Sequence, residues 1–152
     1  MYLHVPGWKK GENMEPTRPC WDKIWTDFAR LISTRSTDPT FKVGCCIVTQ
    51  DNTQVLAIGY NGDHKGGSNQ RESMKPGCSG FIHAEINALI KLDYNNPKKK
   101  TMYLTLSPCK ACAKAIINGG INRVVYISTY RETSGIELLQ KAGIEVISYS
   151  AE

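Results

Sequence analysis

The stretch TMYLTLSPCKACAKAIINGGINRVVYISTYRETSGIELLQKAGIEVIS, residues 101–148, alternates strand-like and helix-like runs and decides the fold class. Thr101 to Leu106 reads as a strand, and a helix follows from Pro108 to Asn118, begun by proline in its first turn and ended by Gly119-Gly120. The logic then repeats with a strand from Arg123 to Ile127, a helix from Ser134 to Ala142 capped by Gly143, and a strand from Glu145 to Ser148. Strands joined through single helices favour right-handed crossovers and parallel pairing.

Working back towards the N-terminus, His83 to Leu92 carries Ile86, Leu89 and Ile90 at helical spacing until Asn95-Asn96-Pro97 breaks the pattern. Val43 to Thr49 and Gln54 to Tyr60 are β-rich runs flanking the turn-forming Asp51-Asn52, which predicts a hairpin. Trp21, Ile24, Trp25, Phe28, Leu31 and Ile32 mark an amphipathic helix from Trp21 to Thr34, whose aromatic stripe is expected to join the core. The order α-β-β-α-β-α-β-α-β predicts an α/β protein in which a mixed five-stranded sheet, its first two strands antiparallel, is covered by helices. Residues 1–19 are proline- and glycine-punctuated without a sustained period and read as an irregular arm; residues 20–152 read as one domain.

The chain of 152 residues is 41% hydrophobic, enough to bury a core without disulfide staples. It has no apolar run near the roughly 18 to 20 residues that a membrane helix needs. Its opening, Met1 to Gly7, lacks the features of a secretory signal, so a cytoplasmic protein is expected. The formal charge of +5 suits an anionic partner, phosphate or polynucleotide alike. In this setting six cysteines point to reduced thiols or metal ligands.

Their spacing separates them. Cys45 and Cys46 are neighbours on a strand, point to opposite faces, and read as small buried hydrophobes. Cys20, Cys78 and His64 form no recognisable metal motif. Lys98-Lys99-Lys100 reads as a solvated loop. Cys109 and Cys112, three apart where a helix begins, face the same way, and His83 at the start of another helix offers a neutral nitrogen. Three nitrogen and sulfur ligands suit zinc, and a missing fourth leaves a position for water, the mark of a catalytic site. Glu85, two residues beyond His83, is near the metal yet free to move protons. H-x-E followed by P-C-x-x-C is the signature of zinc deaminases, in which the glutamate carries protons and does not bind the metal.

On these residues the chain resembles the cytidine deaminase superfamily, and within it the deoxycytidylate (dCMP) deaminases. The resemblance rests on Val43-Gly44, Gly59-Tyr60-Asn61-Gly62, His83-Ala84-Glu85-Ile86-Asn87-Ala88, Thr105 to Cys112, and Thr129-Tyr130-Arg131. It implies the cytidine deaminase-like three-layer fold, and deamination of dCMP to dUMP by a zinc-bound hydroxide, with His83, Cys109 and Cys112 as zinc ligands and Glu85 as proton carrier. Asn61 would bond the sugar hydroxyl, the backbone at Ala84 would fix the base, and Tyr130 and Arg131 would meet the 5′-phosphate. Relatives commonly carry a further basic residue before the first strand; Thr40 stands there here, which leaves Arg35 or Lys42 to substitute.

The resemblance also implies a homohexamer activated by dCTP and inhibited by dTTP, a triphosphate effector bringing Mg2+ with it. Asp63 to Gly80 is a long, glycine-rich segment, and within it Lys65, Gly66, Gly67 and Asn69 are the candidate effector residues. Two other readings compete: a deaminase acting on a base within RNA or DNA, and a non-catalytic zinc-binding scaffold. The Tyr130-Arg131 pair speaks against the first and Glu85 against the second.

Overall fold

A computed structural model describes residues 17–150, so the expected arm at 1–19 lies outside the described residues except at its end. Nine elements follow in order: α1 (Trp21–Ser33), β1 (Gly44–Thr49), β2 (Val55–Tyr60), α2 (Ala84–Leu89), β3 (Lys100–Leu106), α3 (Lys110–Asn118), β4 (Arg123–Ser128), α4 (Ser134–Lys141) and β5 (Glu145–Ser148). The five strands form one sheet in the order β2-β1-β3-β4-β5. β1 is antiparallel to both β2 and β3, whereas β3, β4 and β5 run parallel. The chain therefore leaves β2, passes over β1 through α2 and returns as β3 in the direction of β2. None of the helices described is long and apolar enough to cross a membrane.

Alternation along the central strands builds a core on each face of the sheet. Cys45, Ile47, Met102, Leu104, Val124 and Tyr126 meet α2, α3 and α4 through Ala84, Ala88, Ala113, Ile116, Ile136 and Leu139. Cys46, Val48, Tyr103 and Val125 point the other way and meet Ala29 of α1. The adjacent cysteines are thus fully buried on opposite faces, and burial pushes both thiols up, Cys46 to about 12. They are packing residues with no thiolate to offer at neutral pH.

The aromatic stripe of α1 joins the core only in part: Trp25 and Phe28 pack against the cluster around Ala29, and Trp21 is exposed. The helix lays Thr26 and Ala29 on the sheet, leaving Trp21 49% and Leu31 66% exposed, with Trp25 and Phe28 half-buried. The reason is close approach: a side chain on Gly44 of β1 would lie 2.0 Å from the Ala29 carbonyl, a separation only the small side of the helix permits. α2 stops at Leu89 and not Leu92, because the N–H groups of Lys91 and Leu92 turn back to Ala88 and Leu89 in tight three-residue steps. Lys100 leaves the lysine run altogether: it is buried at the start of β3, its ammonium donating to the Asn96 and Lys98 carbonyls.

A polar clamp ties α1 to the sheet. Arg123 of β4 donates through both terminal nitrogens to Asp22, at 3.0 and 2.9 Å, and the Tyr103 hydroxyl donates to the same carboxylate at 2.6 Å. These bonds, Arg123 first, outweigh burial and hold the Asp22 carboxyl below its ordinary value. A depressed carboxylate stabilises the folded state above its unfolded pKa and loses that contribution as pH falls through the folded value. Asp22→Asn should therefore cost about 2 kcal/mol at pH 7. Urea titrations of both proteins should show that difference shrinking below about pH 4.

Candidate active site

The C-terminal ends of β2, β3 and β4 and the N-terminal end of β1 share one edge of the sheet, as the strand directions require. At that edge, where the chain reverses around β1, lies a cavity of about 230 Å³. Open α/β sheets place ligands at such a switch point. The cavity floor carries His83, Ala84 and Glu85 from the start of α2 and Cys109 before α3; Ser107, Tyr130 and Arg131 follow from the ends of β3 and β4. Asn61 closes the β2 side, and Arg71, Pro76, Gly77 and Phe81 of the long loop form the remaining wall.

Both helix starts are set by their caps. His83 and Cys109 precede α2 and α3 as extended N-cap residues, so Pro108 and Cys109 lie outside the helix expected to contain them. The Cys109 sulfur accepts the Cys112 N–H at 3.5 Å, which turns both sulfurs inward. α2 can descend this far because Gly59 has no side chain; a Cβ there would lie 2.3 Å from the Ala84 carbonyl. Gly135 does the same for α4 beneath the Pro108 carbonyl, at 2.1 Å. Backbone contact thus positions the ligand-bearing turns.

The ligand atoms of His83, Cys109 and Cys112 lie within 4.8 Å of one another, the only such His, Cys, Asp and Glu cluster among the described residues. His83 Nδ1 is 3.2 Å from the Cys112 sulfur and 3.7 Å from that of Cys109. Zinc bonds of about 2.3 Å to sulfur and 2.0 to 2.1 Å to nitrogen in a tetrahedron give nitrogen to sulfur separations of roughly 3.6 Å, so the three fit one zinc ion. The cluster itself attracts a cation. Hydrogen bonds from Cys112 and His83 lower the Cys109 thiol to about 4, and its negative charge pushes Cys112 up and helps raise His83. Cys20, Cys78 and His64 are exposed and do not join a cluster.

Glu85 is buried against this group, and burial raises its carboxyl above the ordinary value. Asn87 takes no part in the cavity; its amide donates to the Tyr60 carbonyl at 2.8 Å and fastens α2 to β2. Tyr130 is fixed by its N–H donating to the Ser107 hydroxyl at 2.6 Å, and Arg131 is exposed at the rim, donating to the Tyr130 hydroxyl at 3.1 Å and the Pro76 carbonyl at 3.3 Å. Arg35 and Lys42 do not reach the cavity. Arg35 is exposed beyond α1, and the Lys42 ammonium is spent on the Ser36 carbonyl. Lys65, Gly66, Gly67 and Asn69 also lie off the cavity, in a turn gathered around the Asp63 carboxylate, which accepts the His64 and Asn69 N–H groups.

Two charged wall residues escaped the sequence reading. Asp38 and Arg71 face each other at 2.6 Å across 33 positions of chain, between segments with no hydrophobic period. Asp38-Pro39 carries a turn signal, whereas nothing local marks Arg71.

A family described as the cytidine and deoxycytidylate deaminase zinc-binding region matches residues 19–128. A probable deoxycytidylate deaminase of Drosophila melanogaster is 33% identical over 145 residues, covering 82% of this chain and 70% of its own. The deoxycytidylate deaminase of Saccharomyces cerevisiae is 32% identical over 93% of this chain, which spans about half, 49%, of that longer protein. The crystal structure of dCMP deaminase from cyanophage S-TIM5 in complex with dCMP and dUMP superposes with a TM-score of 0.76 at 32% identity, covering 88% of this chain and 99% of the other.

The cluster makes a prediction that separates its cysteines from the packing pair. Elemental analysis should find about one zinc per chain. Cys112→Ala should lose that zinc with a fall in melting temperature, whereas Cys45→Ala should keep it.

Proposed function

Because the chain belongs to the cytidine and deoxycytidylate deaminase family, we propose that it hydrolyses dCMP to dUMP and ammonia, with Glu85 moving the protons and Arg131 receiving the phosphate. The observation that carries this reading is the layout of one cavity: a zinc-fitting cluster with a buried carboxylate at its floor, and at its rim an arginine bonded to neutral oxygens.

His83, Cys109 and Cys112 would hold a zinc ion, which would supply a water activated for attack at neutral pH. Glu85 would take a proton from the attacking water as oxygen adds to C4 of cytosine, and hand it to ring nitrogen N3. The proton of the added hydroxyl would then pass through Glu85 to the exocyclic amine, so that the C4–N bond breaks and ammonia leaves as the carbonyl forms. Burial raises the Glu85 carboxyl, which favours its holding a proton between the two transfers. The base would sit against Ala84, the sugar hydroxyl would reach Asn61, and Tyr130 would brace the arginine that grips the phosphate.

The resemblance extends the reading to a cytoplasmic hexamer under dCTP and dTTP control, with the turn at 63–69 as the effector contact. The charge of +5 does not favour a polynucleotide substrate, since Lys100 is buried and the cavity is walled by the long loop. A scaffold would have no use for a buried carboxylate beside its metal cluster.

Glu85→Gln should keep its zinc and lose at least about two orders of magnitude in turnover of dCMP, measured as ammonia release. Near-normal turnover would remove Glu85 from the chemistry. Arg131→Ala should lose more on dCMP than on deoxycytidine, which has no phosphate; equal losses would move the phosphate elsewhere.

A further inference from the structure

The pair formed by Asp38 and Arg71 is not exposed at the rim like Arg131. Its side chains are only 2% and 7% exposed, and both face the cavity. Buried charges of this kind destabilise a fold unless all their bonding positions are used. Here both Asp38 oxygens are used, and Arg71 donates from two of its nitrogens. One Asp38 oxygen accepts the N–H groups of Thr40 at 2.8 Å and Phe41 at 3.3 Å. The other accepts Arg71 at 2.6 Å and the side-chain amide of Asn61 at 3.4 Å. Arg71 is steadied in turn by donating from Nε to the Ser73 carbonyl at 3.2 Å.

The consequence falls on Asn61. Its amide nitrogen donates to the Phe41 carbonyl at 2.8 Å and towards Asp38, while its oxygen accepts the Val43 N–H at 2.8 Å. Rotating the amide by half a turn would set its oxygen against two acceptors and its nitrogen against a donor, so Asp38 helps fix which way it points. An amide oxygen has two lone pairs. One is spent on Val43, which leaves one facing a ligand that donates. Without Arg71, the Asp38 carboxylate would be buried with backbone donors and no counter-charge, and it would turn towards solvent or take up a proton. Either change takes away one of the three bonds on the Asn61 amide and loosens the Thr40-Phe41 segment whose carbonyl accepts another.

We infer that Arg71, acting through Asp38, is a positioning residue that aims the Asn61 side-chain oxygen at the sugar 3′-hydroxyl of the substrate. The inference rests on the reading of Asn61 as the sugar contact, and the test keeps the two apart. Steady-state kinetics on the full chain with its zinc compare dCMP with 2′,3′-dideoxycytidine 5′-monophosphate, which lacks that hydroxyl, and with deoxycytidine, which lacks the phosphate.

In the unaltered protein, loss of the 3′-hydroxyl should lower kcat/KM about tenfold or more, because the remaining lone pair of the Asn61 oxygen is left without a donor. In Arg71→Met the dCMP rate should fall by about that factor while the dideoxy rate stays near its original value, so the ratio between them shrinks towards one. Arg71→Lys, which keeps a cation opposite Asp38, should recover most of the ratio. If Arg71→Met does not fold, the double variant Asp38→Asn, Arg71→Met removes the isolated buried charge and should show the same collapse.

Equal rates on dCMP and the dideoxy nucleotide in the unaltered protein overturn the Asn61 reading and the positioning role with it. A penalty that survives intact in the variants overturns the positioning role alone, since a merely structural defect lowers both rates together. A loss in Arg71→Met that is larger on dCMP than on deoxycytidine makes Arg71 a phosphate ligand instead, and also overturns the inference.

Discussion

Two sulfurs and an imidazole nitrogen held within 4.8 Å of one another are a poor arrangement for a protein without a cation between them. Their mutual hydrogen bonds lower the Cys109 thiol and raise Cys112 and His83. No side-chain packing forces this; the backbone does. His83 and Cys109 are the cap residues of two helices whose starts are pressed against neighbouring backbone at Gly59 and Gly135, leaving no room to spread. A methyl group at Gly135 would press on the backbone of Cys109 itself, and one at Gly59 on Ala84, the residue next to His83.

That constraint also orders the charges of the cavity from floor to rim. Glu85 is buried beside the cluster and holds its proton more readily than an exposed carboxylate. Midway, Asp38 and Arg71 cancel, and the bonds Asp38 accepts from Thr40, Arg71 and Phe41 keep its carboxyl ionised in spite of its burial. Arg131 at the rim has no carboxylate partner among the described residues. A ligand that is neutral where it meets the floor and anionic at its far end matches this gradient, and a uniformly charged polymer does not. The overall charge of +5 adds steering towards the rim without setting what binds.

How much of this was legible in the chain differed by element for identifiable reasons. Period-two runs and glycine stops placed every strand to within a residue, because β1, β3 and β4 lie between two packed faces and have little freedom. The motif residues His83, Glu85, Cys109 and Cys112 were legible as a set because the chemistry of the ligands restricts residue type as well as spacing. The orientation of α1 was not legible: six apolar residues at helical spacing say that a face exists, while the contact at Gly44 decides that Thr26 and Ala29 occupy it. The clasp was not legible either. Asp38 and Arg71 sit in irregular segments whose meeting depends on the whole sheet having formed, and no local pattern encodes a partner 33 residues away.

The long connection between β2 and α2 follows from the sheet order, and so does its dependence on that clasp. The chain must cross β1 to reach β3, and the residues beyond what the crossing needs fold down as the cavity wall. Among the bonds that hold that wall are three of different kinds: Glu72 N–H to the Ser79 carbonyl, Arg71 to Asp38, and Arg131 to the Pro76 carbonyl. The last is the weakest, at 3.3 Å, exposed, and made to a neutral oxygen. Bonds from an arginine to phosphate oxygens are shorter and roughly twice as strong as those to neutral acceptors. An anion arriving at the rim therefore draws Arg131 away from the loop at no great loss. The wall must then be held by contacts the ligand does not compete for, and the buried ion pair of Arg71 and Asp38 is the one charged contact of the three that meets that condition.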